Sequence, residues 1–296
     1  MKLINLVAGA ALAAGVVSGS LAAAGLQHGT LEAWKEYVRS ADLRMQERLD
    51  GGQPFLWVDE SPARKMRVQR GEVVVAPFDG RGTHNVPDGL IHDWIGAVFI
   101  PGATIESLLR VVHDYDRYKD IYKPVVTDSK TLACSAGRQE FSMIWQRHVL
   151  FVNAAVQGKY EAHDVMLDSR RGYSIADATQ VREFEDYGHS GEHLLPPDTG
   201  DGFIWRMRSV ARYEERDGGL YLELEAMALT RDIPASLRWL ATPVVNHLSV
   251  NSLTSTLRET RDAVATLPPG TDTLALCSER LQSAHAAHAA HAGAEK

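Results

Sequence analysis

The sequence is constrained most by its last structured stretch, in which a tight hairpin leads into one long helix. Asp217-Gly218 separates two segments of alternating apolar and polar residues, and glycine tolerates the positive φ that such a turn needs. Pro234 then precedes an apolar stripe at helical spacing, which predicts a helix over residues 235–266. Pro243 lies inside this stripe and is expected to kink or divide the helix.

The hairpin predicts which side chains share a face of the sheet. With Asp217-Gly218 as the turn, Arg212 lies opposite Glu223, and side chains alternate between the two faces along each strand. We expect a charged, solvated face with cross-strand ion pairs and an apolar, buried face. The charged set is Arg206, Arg208, Arg212, Glu223 and Glu225, and the apolar set is Phe203, Trp205, Met207, Leu222, Leu224 and Ala226.

Upstream of the hairpin, a strand, two short helices and further strands are predicted. Residues 91–100 are rich in β-branched and aromatic residues and end at Pro101-Gly102, as a strand should. Apolar positions at helical spacing follow over 103–113, and a second short helix or turn is predicted over 114–124. The other strand-like segments lie near 125–133, 138–147, 149–161, 171–184, 203–214 and 219–231.

The two ends of the chain are predicted to lie outside the regular fold. Residues 1–24 combine a positive start, a long uncharged stretch and Ala22-Ala23-Ala24, which is typical of a secretory signal peptide. A retained membrane anchor is the alternative, because the uncharged stretch is long enough to span a bilayer. Residues 25–89 form a lead-in of a helix and a strand, and residues 267–296 form a disordered tail rich in Ala and His. We therefore expect a periplasmic or secreted protein.

Composition excludes several classes of function. The net charge is -7 and no basic block runs through the chain, which argues against a nucleic-acid partner. The sequence lacks a G-x-S-x-G nucleophile elbow, a Walker A loop and a G-x-G-x-x-G loop, so serine hydrolase, phosphoryl-transfer and Rossmann-type chemistry are disfavoured. Two cysteines, Cys134 and Cys277, are too few for a disulfide scaffold. Export would allow a disulfide between them, but one buried and one exposed unpaired thiol is the favoured interpretation.

Histidines next to acidic residues were weighed as catalytic or metal-binding groups. In three places a histidine directly precedes an aspartate, but neighbours on a strand point to opposite faces and cannot act together there. Surface placement is the expected outcome, so no catalytic residue, metal site or cofactor is predicted. The sets concerned are His92-Asp93, His113-Asp114 and His163-Asp164, the loop residues His189, Glu192 and His193, and the tail residues His285, His288 and His291.

Three stretches resemble the START-like, or polyketide cyclase/dehydrase-like (SRPBCC), helix-grip superfamily. The resemblance covers roughly residues 90–266. It implies an α+β fold in which a curved antiparallel sheet of about seven strands wraps around the long C-terminal helix, with two short helices after the first strand. The stretches are IHDWIGAVFIPGATIESLL, DYDRYKDIYKPVVTDSKTL, and the last hairpin and helix from GFIWRMRSVARYEERDGGLYLELEAMALTRDIPASLRWL onward.

The resemblance also implies a cavity between the sheet and the helix. We expect an exported, non-enzymatic protein that binds or transfers a hydrophobic, lipid-like molecule and makes transient contact with a membrane. A cyclase, dehydratase or hydrolase acting in the same cavity is the alternative. The expected ligand-binding residues are Phe99, Phe141, Met143, Trp145, Trp205, Met207, Leu240, Val244, Leu248 and Asn251, which are apolar except for the one asparagine.

Overall fold

The computed structural model describes residues 24–135, 137–149, 152–233 and 235–266. The predicted signal peptide up to residue 23 and the predicted tail from residue 267 lie outside them. The five helices in the described part of the chain are α1 (His28–Leu49), α2 (Pro62–Gln69), α3 (Ile105–Val112), α4 (Tyr118–Ile121) and α5 (Ala235–Thr266). Two 3₁₀ turns lie at Trp57–Glu60 and Tyr115–Arg117.

The described residues form seven long and five short strands. The long strands are β4 (Gly89–Pro101), β5 (Val126–Ser135), β6 (Arg138–Val149), β7 (Val152–Met166), β8 (Arg171–Glu185), β11 (Arg206–Arg216) and β12 (Gly219–Arg231). The short strands are β1 (Ala24–Gly25), β2 (Val74–Pro77), β3 (Thr83–Val86), β9 (His193–Leu194) and β10 (Thr199–Gly200).

Ten of these strands form one antiparallel sheet, in the order β2-β4-β12-β11-β8-β7-β6-β5, with β3 paired to β4 and β9 to β8. The seven long strands make its centre, which confirms the predicted helix-grip architecture, and β2, β3 and β9 are short additions. Strands β1 and β10 pair with each other in a separate two-stranded sheet.

The last hairpin has the predicted register. Asp217 and Gly218 both have positive φ, at 56° and 77°, and Arg212 pairs with Glu223. Such a turn matches the twist of the strands that it joins. Helix α5 continues through Pro243, so the proline does not divide it.

Helix α5 contacts two strands that are far apart in the strand order, β4 and β6. A Cβ on Gly96 of β4 would lie 2.6 Å from Cδ1 of Leu257 and 3.2 Å from Cγ of Leu253. The adjacent residue Ser252 accepts a 2.7 Å hydrogen bond from Nη2 of Arg147 on β6. In a flat sheet, five strand spacings would separate β4 from β6 by about 24 Å. The sheet is therefore curved around the helix.

The outer, convex face of β4, β11 and β12 is covered by the lead-in. Trp34 and Met45 of α1 pack with Ile91 and Met227, while the segment around Trp57 packs with another part of β4. The charged side chains of the last hairpin lie beneath this layer, with Arg212 at 1% and Glu223 at 0% exposure. The prediction that this face is solvated is wrong, because a layer formed by residues distant in sequence covers it.

Buried charges on the outer face are paired. Arg212 Nε lies 3.3 Å from Glu223 Oε2, and its Nη1 lies 3.2 Å from Glu225 Oε2. The other oxygen of Glu225 lies 3.4 Å from Nη2 of Arg44, which also reaches Asp93. Backbone N–H groups of Trp57 and Val58 donate to Glu223 at 2.8 and 2.7 Å. Lead-in and sheet are thus joined by ionic contacts as well as by apolar packing.

Cys134, at the end of β5, is disulfide-bonded. The interpretation of this residue as an unpaired thiol is therefore wrong. The other cysteine of the chain, Cys277, lies outside the described residues.

Candidate ligand-binding site

The inner, concave face of the sheet keeps accessible surface beneath α5. Along β11 and β12, the side chains that face outward, such as Val210 and Met227, are buried. Those that face the helix, such as Ser209, Ala226 and Ala228, are only half-buried. Protein interiors are normally close-packed, so accessible surface on the helix side indicates that α5 does not fill the space above the strands.

Small side chains form the floor of this space. One row of directly paired residues runs across the inner face, and we call its members Ala226, Ser209, Ala176 and Ala162 the small-residue row. Side chains of this size leave room where leucine or phenylalanine would otherwise meet the helix. The small-residue row was missed by sequence reasoning, although alanine or serine at alternate positions of β8, β11 and β12 was a readable signal.

Two larger residues end the small-residue row. Trp94 pairs with Ala226 at one end, and Gln139 pairs with Ala162 at the other. Their side chains are 6% and 1% exposed. Among the described residues, Nε1 of Trp94 and Oε1 of Gln139 have no hydrogen-bond partner. Leaving such groups unpaired costs free energy, so both are available to a ligand.

An aromatic stack borders the row on the β6 side. The rings of Tyr115 and Phe141 stack with their centroids 4.1 Å apart, and Phe141 stacks on Tyr160 at 4.9 Å. The hydroxyl of Tyr160 accepts a 3.3 Å hydrogen bond from Nε1 of Trp145 and lies 3.6 Å from Sδ of Met207. Stacked rings of this kind are rigid and present an apolar wall with one polar edge.

A polar cluster lies on the inner face beside Gln139. Nε2 of His113 lies 2.9 Å from Oδ2 of Asp164, and the hydroxyl of Ser174 donates to Oδ1 of the same carboxylate. Burial raises the pKa of Asp164, but contacts from His113, Ser174 and Gln139 favour the ionised form and hold the pKa below its ordinary value. The hydroxyl of Tyr213 lies 3.5 Å from that of Ser174. Asp164 is therefore a partly buried, ionised carboxylate at neutral pH.

The structure places four of the predicted ligand-binding residues on the inner face. The cross-strand register puts Met207 opposite Ala228 and puts Phe141 opposite Tyr160. Met143 and Trp145 follow Phe141 at alternate positions of β6, so they point the same way. These four side chains share the space with the small-residue row, while their contact with a ligand stays a prediction.

Two other predicted residues lie elsewhere, so the expectation that they point toward the helix is wrong. Phe99 is on the outer face, where its ring centroid is 4.8 Å from that of Tyr221. Strand β4 is apolar on both faces, which hides its inward side from a sequence pattern. Trp205 precedes β11, packs with Trp34 and lines a separate cleft of about 300 Å³ beside Arg231.

The predicted residues of α5 have mixed surroundings. Val244 is 40% exposed, Leu248 is half-buried, and Asn251 is exposed. Nδ2 of Asn251 lies 2.8 Å from Nε2 of His247 on the same helix. The side chain of Leu240 lies outside the described residues. Val244 and Asn251 are thus less enclosed than the residues of the sheet.

The described residues contain neither a candidate metal site nor a helix that could span a membrane. Within the described ranges, no three His, Cys, Asp or Glu side chains are grouped so that they could hold a metal ion. The tail histidines His285, His288 and His291 lie outside those ranges. No described helix is both long enough and apolar enough to cross a bilayer.

Comparisons with known proteins show similarity in fold. No family model and no curated protein matches the chain. A STAR-related lipid transfer protein from Xanthomonas axonopodis is 16% identical, with 62% of this chain and 99% of that chain covered and a TM-score of 0.42. The Zhui aromatase/cyclase from Streptomyces sp. R1128 is 15% identical over 59% of this chain and 94% of that chain, with a TM-score of 0.39. Human STARD10 is 9% identical over 63% of this chain and 74% of that chain, with a TM-score of 0.40.

The strand order described above shows the fold of this chain. Seven long antiparallel strands curve around one C-terminal helix, and two short helices follow the first of them. The chain has a helix-grip fold.

Proposed function

We propose that this chain is an exported protein that binds or transfers a hydrophobic, lipid-like small molecule between its inner sheet face and α5. The observation that carries the proposal is the accessible inner face, where Ser209 of β11 and Ala226 of β12 stay half-buried while the outward-facing Val210 and Met227 of the same two strands are buried. Binding would be driven by removal of apolar ligand surface from water, at roughly 25 cal/mol per Å² before the costs of ordering.

Two observations support the finer parts of this proposal. The neighbours of known structure include a protein described as a lipid transfer protein. A disulfide at Cys134 fits an oxidising compartment, as export requires. Sequencing the N-terminus of the protein recovered from the envelope of its host tests export, and an intact Met1 would count against a cleaved signal peptide.

The binding space can be tested by filling it. Ala176→Phe places a ring in the small-residue row and is expected to abolish uptake of the neutral fluorophore Nile red. Thr179→Phe is the matched control, because Thr179 is an exposed residue of the same strand. Equal uptake by the two variants and the wild type would show that Nile red does not occupy this space, and the proposed function would fail.

An enzyme acting in the same space is a second candidate. The observation that favours it is the pair of His113 and Asp164, in which a partly buried carboxylate contacts an imidazole on the inner face. A general acid or base of this kind predicts turnover that is lost in His113→Gln while binding is retained. Binding without turnover of any bound molecule, in the presence of the intact pair, supports the carrier instead.

A further inference from the structure

The small-residue row runs across the sheet from Trp94 to Gln139. It connects Trp94 to Gln139 through four small side chains and so crosses six neighbouring strands. Five strand spacings of about 4.8 Å make it roughly 24 Å long, measured along the curved sheet. Both end residues are more than nine-tenths buried, whereas Ser209 and Ala176 in the middle keep accessible surface. The row therefore has accessible surface in its middle and buried ends, with Ala162 beside Gln139 also only 5% exposed.

The Gln139 end of the row carries a hydrogen-bond acceptor that has no partner among the described residues. This acceptor, Oε1 of Gln139, is buried, and Gln139 lies on the inner face beside the polar cluster of His113 and Asp164. Gln139 pairs with Ala162 of β7, and Asp164 lies two residues further along β7 on the same face. The side chain of Gln139 contacts the carboxylate of Asp164. An acceptor oxygen beside a fixed negative charge attracts a neutral donor and repels an anion.

We propose that the small-residue row holds an elongated apolar molecule whose end at Gln139 is a neutral hydroxyl group, an alcohol or a phenol, and that this end rejects carboxylates. The hydroxyl donates to Oε1 of Gln139, and the apolar body lies along the row toward Trp94. This inference rests on the proposed function, since it names the class of ligand for the same space.

Three probes of one chain length test the inference on the wild-type protein. Hexadecan-1-ol, its methyl ether and hexadecanoic acid compete with bound Nile red at pH 8, where the acid is ionised. The alcohol and the ether differ only in the O–H donor. We expect the alcohol to bind about tenfold more tightly than either of the others, since an unmade buried hydrogen bond or a like charge costs that much.

Paired variants on β6 assign the preference to one side chain. Gln139→Met removes the acceptor at nearly constant shape and should reduce the advantage of the alcohol over the ether to about threefold or less. Gln146→Met makes the same change on the outer face of the same strand and should keep the tenfold advantage. An advantage that persists in Gln139→Met overturns the assignment to Gln139.

The outcomes separate this inference from the proposed function. If the three probes displace Nile red equally well, or the acid binds best, the hydroxyl inference is wrong and a hydrophobic binding function stands. If Nile red and all three probes fail to bind to the wild type, both are wrong. The comparison of the three probes needs no variant, so a misfolded Gln139→Met protein would not weaken it.

Discussion

Nε2 of His113 lies 2.9 Å from Oδ2 of Asp164, although the two residues belong to different His-Asp neighbours in the sequence. The C-terminal end of α3 brings His113 over the inner face of β7, where Asp164 points. Ser174 on β8 completes the contact with the carboxylate. The polar centre of the inner face is thus assembled by the fold from residues that are distant along the chain.

Removal of this carboxylate is expected to change acid stability. The pKa of Asp164 is lower in the folded protein than its ordinary value near 3.8, so its contribution is present above that value and is lost as the pH falls through the folded pKa. Asp164→Asn should cost about 1–3 kcal/mol at pH 7. Urea unfolding at pH 7 and at pH 3 measures the difference, which should shrink in acid; a constant difference would show that the charge does not matter.

Loss of Arg212 is expected to be severe. Arg212→Met leaves the buried carboxylates of Glu223 and Glu225 without their shared partner, which should cost about 3–5 kcal/mol. Arg81→Met is the control, since the Arg81 side chain is 75% exposed and should change stability by no more than about 0.5 kcal/mol. Chemical denaturation compares the two, and similar midpoints would argue against a structural role for the buried network.

Asp93 is expected to give the outer face a pH dependence of the opposite sign. Burial, with the charge of Glu225 next, raises the pKa of Asp93 to about 7. A raised acid pKa favours folding below the unfolded value, and this contribution is lost as the pH rises toward 7. The wild type should therefore lose about 2 kcal/mol between pH 5 and pH 8 relative to Asp93→Asn, as measured by urea unfolding at both pH values. Parallel pH profiles of the two proteins would contradict the shift.

Gly96→Ala should weaken the packing of α5 against the sheet. The added Cβ would lie 2.6 Å from Cδ1 of Leu257, so the packed side chains of α5 must shift, at a cost of about 1–3 kcal/mol. Gly29→Ala makes the same change in helix α1, where the nearest atom is at 3.7 Å, and should be neutral or slightly stabilising. Thermal unfolding distinguishes them, with equal melting temperatures as the contrary result.

The hairpin and the long helix were predictable because both depend on local chemistry. A two-residue turn fixes the pairing of Arg212 with Glu223, and helical spacing marks α5. The burial of that charged face was not predictable, because it depends on α1, far away in the sequence. Phe99 was placed on the wrong face because β4 is apolar on both sides and carries no alternation from which to read a direction.

The hydrogen bonds between β12 and the lead-in also affect how fast the chain folds. Glu223 accepts backbone hydrogen bonds from Trp57 and Val58, more than 160 residues earlier in the chain. Contacts of such long sequence separation slow folding, because the loop between them must close before they form. The segment around Trp57 leaves the ribosome early and can pack against β4, but its partner Glu223 is missing until β12 has been made.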